Sequence, residues 1–178
     1  MCLQIEIAIS VPEETARVAK AAFPKGNPYI KMRDILGTLF EDEQFTELFP
    51  PQGQPAQAPW RLALTSVFQF AEGLSDRQAA DAVRSRIDWK YAPGLDLTDA
   101  GFHFSILSQF RQRLVAGGAE TQLLDTMLTL FVNQGLLKAG GRQRTDSTHV
   151  LAAVRVLNRL EKVGEDILAF FALLTGCL

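Results

Sequence analysis

The chain has 178 residues, 47% of them apolar, and a formal net charge of −2. That length suits one domain, or one domain with part of another, and the apolar share is enough for a core. A balance so near zero excludes a global basic field, so a nucleic-acid partner has to be met by local charge. The only cysteines, Cys2 and Cys177, make no disulfide framework, and no Cys/His spacing fits a zinc site. The start, MCLQIEIAIS, lacks a basic n-region and a long apolar run, and ILAFFALL at 167–174 is too short to span a bilayer. The expectation is a cytoplasmic protein with no membrane partner.

In chain order, VPEETARVAKAAF has the composition of a short helix, and PKGNP ends it, because Gly and two prolines disfavour a continuing ladder. Residues 1–31 are read as an N-terminal arm. MRDILGTLFEDEQFTELF, 32–49, places Ile35, Leu36, Leu39, Phe40, Phe45, Leu48 and Phe49 at helical spacing, which predicts two short helices. PPQGQPAQAP, 50–59, is a Pro/Gln-rich connector.

From Trp60 the pattern is strongly helical. WRLALTSVFQFAEG ends at Gly73, a natural helix stop. Ser75 with Gln78 three residues on is a capping box, and Asp76 suits the positive end of a helix dipole, so a helix over 76–87 is predicted. Helix, Gly-containing turn and capped helix is the outline of a helix-turn-helix. Another helix starts near Phe104, with Ile106, Leu107, Phe110 and Leu114 inward, and one more covers 120–134, closed by Gly135. At 136 the texture changes. LLKAGGRQRTDSTHV predicts a short strand near 141–147, and Val150, Val154, Leu157, Leu160, Ile167, Phe171 and Leu174 resume a helical stripe.

The charge is uneven along the chain. Residues 1–50 carry five Lys/Arg against eight Asp/Glu, and residues 51–116 carry seven against six. In that middle segment Arg77, Arg84, Arg86, Lys90, Arg111 and Arg113 are the candidates for DNA contact, because phosphate recognition needs cations on one exposed face. Arg77 and Arg84 are seven apart and share a helix face. Asp81 lies four after Arg77 and Asp88 four after Arg84, so intrahelical ion pairs are the competing use of the same arginines. Trp60, Trp89 and Tyr91 read as packing residues, and His103 as a packed or half-exposed loop residue.

Asp146 stands between Thr145 and Ser147, with His149 three positions on. Read from the residues alone, a carboxylate there caps the following helix, or it supplies one hard oxygen ligand to Mg²⁺ in metal-assisted phosphoryl transfer. His149 reads as a polar residue near a helix start.

GRQRTDSTHVLAAVRVLNRLEKVGE resembles the segment that begins the catalytic domain in bacterial insertion-sequence transposases of the DDE class. APWRLALTSVFQFAEGLSDRQAADAVRSRIDWKYAPGLDLTDAGFHFSILSQFRQRL resembles their N-terminal domain, the transposase InsH N-terminal domain. The likeness runs from about Met32 to Glu165, with GLSDRQAADAVRSRIDWKYA and RTDSTHV in the family's order. It implies a mainly α fold: a multi-helix domain over 32–138 with a helix-turn-helix-like segment, then the first strand and helix of an RNase H-like domain over 139–178. It implies that Asp146 is the first acid of an Asp-Asp-Glu triad binding Mg²⁺. The implied partner is DNA at the element's terminal inverted repeats, with a homo-oligomer or a full-length transposase as further partners. Glu161, Glu165 and Asp166 are the only acids after Asp146, and none matches a triad position. The expectation is therefore a truncated, catalytically incomplete front end of a transposase. The alternatives are an autonomous helical module that regulates a full-length transposase, or a nonfunctional remnant of a decayed element.

Overall fold

Asn27 and Pro28 set the start of the second helix. The computed structural model describes residues 2–5, 10–119 and 121–135. Within them, α1 (Glu13–Ala22) and α2 (Pro28–Leu36) flank the PKGNP break. Asn27 is extended, and its side-chain oxygen accepts the Tyr29 N–H at 2.9 Å. Pro28 takes the first helical position, where a missing N–H leaves nothing unsatisfied. A short 3-10 helix, Asp42–Leu48, follows, so the two short helices expected over 32–49 are present with shifted boundaries.

Among the described residues the longest helix is α3 (Pro59–Glu72), and Trp60, Leu62, Ala63, Leu64, Val67 and Phe68 are all buried along it. Its start is capped from a distance: the Trp60 N–H donates to the buried Asp42 carboxylate at 3.1 Å. Around it lie α4 (Asp76–Ser85), α5 (Ile87–Tyr91), α6 (Ser105–Ala116) and α7 (Gln122–Asn133). The protein is mainly helical, as expected. The only β-type pairing among the described residues is an isolated bridge between Cys2 and Pro55.

Aromatic rings fill the core. Phe68 of α3 lies 4.4 Å from Tyr29 and 5.3 Å from Trp89, centroid to centroid, and Phe45 lies 5.7 Å from Phe110. Each such side chain contributes about 1.5–3 kcal/mol by leaving water, with a further edge-on ring term. Trp60, Trp89 and Tyr91 are buried, in line with their reading as packing residues. α1 and the first turn of α2 are packed onto the same body. The buried Thr15 hydroxyl donates to the Leu95 carbonyl at 2.8 Å, and Ala19, Ile30 and Tyr91 form a small apolar cluster.

One predicted element is corrected. The helix expected over 76–87 ends at Ser85, and a second one, α5, begins at Ile87. Arg86 between them is extended, with φ −92° and ψ 129°. Its guanidinium is drawn to Glu72 at 2.6 Å and to Asp88 at 2.6 Å, which a straight helix would not allow. The expected Arg84–Asp88 pair is therefore absent from the hydrogen bonds and ion pairs of both residues. Arg84 instead meets Asp81 at 3.5 Å.

Candidate nucleic-acid interface

The turn between α3 and α4 is built by three residues. Gly73 adopts a left-handed conformation, φ 63° and ψ 33°, which a side chain would strain. Its N–H returns to the last carbonyls of α3. Ser75 then caps α4: its N–H and its hydroxyl both donate to the Gln78 side-chain oxygen, at 2.9 and 2.7 Å, while its hydroxyl oxygen accepts the Gln78 N–H at 3.4 Å. The helical spacing of α4 then separates its faces. Ala79, Ala80, Ala82 and Val83 are buried, and Arg77, Gln78, Asp81, Arg84 and Ser85 are exposed.

A loop runs back along one edge of α4. Arg84 Nε donates to the Ala100 carbonyl at 3.4 Å. Gly101 lies over Ala80 and Val83, at φ +68°, with its N–H held by Asp99 at 2.7 Å. Phe104 closes the track under Arg77, whose guanidinium carbon is 4.4 Å from the ring centroid. Positions 77, 80 and 84 form one stripe of a helix, so the loop follows that stripe and leaves Gln78, Asp81 and Ser85 facing outward.

The six candidate cations are placed very differently. Arg77 and Arg84 flank the outward face of α4 and are exposed. Arg111 on α6 is exposed but holds Asp76, its Nη2 standing 2.9 and 2.7 Å from the two carboxylate oxygens. Arg113 lies over Phe49, its guanidinium 4.9 Å from the ring centroid, and its Nη1 donates to the Leu48 carbonyl at 3.4 Å. Lys90 is buried and donates to the Asp99 carbonyl at 2.6 Å, and burial pushes its ammonium below the usual value.

Arg86, in the link between α4 and α5, belongs to a polar cluster that ties α2, α3 and α5 together. It donates to Glu72 at the end of α3 and to Asp88 on α5. Tyr29 of α2 donates its hydroxyl to Glu72, and Asn27 donates to Asp88 at 3.1 Å. Burial opposes the Glu72 charge, but the hydrogen bonds from Arg86 and Tyr29 outweigh it and hold the carboxyl below its usual range. Burial, reinforced by Glu72, pushes the Tyr29 hydroxyl up. Tyr91 is pushed up to about 12 by burial and by its hydrogen bond to Asp34. These partners, Asn27, Tyr29 and Glu72, carried no signal in the sequence, because each lies 14 to 61 residues from the group it meets.

His103 is a loop residue, as read from the sequence, but it is exposed rather than packed or half-exposed. Asp146, His149 and the strand expected near 141–147 lie outside the described residues. Among the described residues no group of three His, Cys, Asp or Glu side chains is gathered as a metal site would need. No helix among them is long and apolar enough to cross a membrane.

Comparison with known proteins adds one finding. The family model described as Transposase domain (DUF772) matches residues 17–113, more than half of the chain. No curated protein and no solved structure gives a significant match.

Proposed function

This chain belongs to the transposase domain (DUF772) family, and on that premise we propose that it is the part of an insertion-sequence transposase that binds DNA at the element's ends. The observation that carries the reading is the outward face of α4. A capped helix follows a left-handed glycine turn and presents Gln78, Asp81 and Ser85, with Arg77 and Arg84 on the flank. Helix-turn-helix proteins lay the second helix in the major groove. There Gln pairs with adenine, Asp accepts from cytosine and Ser bonds either, while arginines meet phosphates or guanine. Arg84 also meets Asp81 and the Ala100 carbonyl, and Arg77 rests on Phe104, but both stay exposed on α4 itself, which concentrates the electrostatic contact of that face on Arg77 and Arg84.

The InsH-type and DDE-type features implied by the resemblance belong to the same proposal. Asp146 would supply one hard oxygen ligand to Mg²⁺. Loss of Mg²⁺-dependent nicking of end DNA on Asp146→Asn in a full-length transposase that carries this segment together with the two further triad acids would support that assignment. Retained activity would make Asp146 a helix cap.

The direct test of DNA binding is a gel shift of the full chain on a duplex carrying the element's terminal repeat and on a scrambled duplex, at two salt concentrations. The reading expects tighter binding to the terminal repeat and a steep loss with salt. Absence of binding to either duplex, with capture of a full-length transposase instead, would replace it with a regulatory role.

A further inference from the structure

We propose that the loop before α6 is a second DNA-contacting element, in which His103 donates a hydrogen bond to a backbone phosphate beside Arg77. The proposal rests on the DNA-binding reading of α4 and deepens it. Three observations carry it. First, Phe104 is a shared platform. Arg77 lies over its ring at 4.4 Å, and the His103 ring sits 4.2 Å from it, centroid to centroid, tilted by 38°. The cation of α4 and the imidazole of the loop thus both rest on one aromatic side chain, which packs against the core.

Second, the imidazole Nδ1 is engaged within the loop. Nδ1 stands 2.8 Å from the Ser105 hydroxyl and accepts the Ser105 N–H at 3.4 Å. A backbone N–H can only donate, so Nδ1 of the neutral ring is an acceptor and the proton resides on Nε2. Third, His103 is exposed, and no hydrogen bond to its Nε2 is formed among the described residues. An N–H donor that shares one aromatic platform with an exposed guanidinium fits an anionic oxygen. A duplex lying on α4 offers phosphate oxygens along its edge, where the loop runs from Ala100 at Arg84 to Phe104 at Arg77.

The test uses the full chain and a terminal-repeat duplex, with a set of single methylphosphonate substitutions that each neutralise one phosphate. His103→Ala should weaken binding about tenfold, the equivalent of one hydrogen bond to a charged group. One methylphosphonate position should weaken the wild type by a similar factor and have no further effect on His103→Ala. If His103→Ala fails to fold, Ser105→Ala, which removes the hydroxyl partner of Nδ1, should lose part of the affinity at that same position. Wild-type affinity in His103→Ala, or in a folded Ser105→Ala where that variant is the one read, alongside loss of binding in Arg77→Ala/Arg84→Ala, would overturn the loop contact and leave α4 as the interface. The same methylphosphonate penalties in wild type and variant at every position would also overturn it. If Arg77→Ala/Arg84→Ala binds as the wild type does, the α4 reading falls and this inference with it.

Discussion

Arg111 of α6 brackets the Asp76 carboxylate at the start of α4, with Nη2 at 2.9 and 2.7 Å from its two oxygens, while Gln69 of α3 donates to the same group at 2.7 Å. Three helices meet at one carboxylate. The Arg111 hydrogen bonds, against the opposing effect of burial and with help from Gln69, hold that carboxyl below its usual range. The charged form is therefore favoured by folding. The stabilisation is present above the unfolded value of about 3.9 and is lost as pH falls through the lower folded value. Asp76→Asn should flatten the acid limb of a stability-versus-pH curve. At neutral pH it should cost no more than about 1 kcal/mol, because Arg111 remains 44% exposed and the pair is screened. An unchanged acid limb would show that Asp76 is not held this way.

Ser75→Ala should destabilise the protein by about 1 kcal/mol, because it removes the acceptor for the Gln78 N–H and one arm of the capping box. Thermal unfolding measures it. No change in either Ser75→Ala or Gln78→Ala would remove the cap from the account of α4.

Arg86→Ala should be the most damaging change among the six candidate cations. It leaves the buried Asp88 carboxylate without its guanidinium and takes the cation away from Glu72, which keeps Tyr29 and Trp89 as donors. Breaking such a pair costs about 3–5 kcal/mol when fully buried. With the Arg86 side chain 35% exposed, roughly half of that is expected. Arg86→Lys should recover only part of it, since an ammonium cannot fork between two carboxylates. Denaturant unfolding in which Arg86→Ala matches the wild type would contradict the structural role of this cluster.

Lys90→Met should lower stability without altering the salt dependence of DNA binding, because the ammonium is buried against the Asp99 carbonyl and has no access to a phosphate. A reduced salt slope in a folded Lys90→Met protein would return Lys90 to the interface.

The parts of this structure that were legible in the sequence are the local ones. Gly73, Ser75 and Gln78 lie within six positions, and they announced the turn, the cap and the start of α4, all of which the structure contains. The burial of Trp60, Trp89 and Tyr91 followed from their size and apolar surface. What could not be read was the fate of each charge. Arg86 and Lys90 look like any other exposed cation in a string of letters. Glu72, 14 residues before Arg86, and the Asp99 carbonyl, nine after Lys90, turn them inward. Spacing suggested Asp88 as the partner of Arg84 because it assumed an unbroken helix, and the extended Arg86 breaks it. The loop alongside α4 was equally hidden, since Ala100 and Phe104 reach Arg84 and Arg77 only through the chain reversal between α5 and α6.

The central claim is that the outward face of α4, flanked by Arg77 and Arg84, meets DNA. The most direct measurement is the slope of log affinity against log salt for a terminal-repeat duplex, in the wild type and in Arg77→Ala/Arg84→Ala. Each phosphate contact contributes about 0.9 to that slope, so the double variant should bind more weakly and lose roughly 2 units of slope. A folded double variant with the wild-type affinity and slope would contradict the claim and place the DNA contact elsewhere.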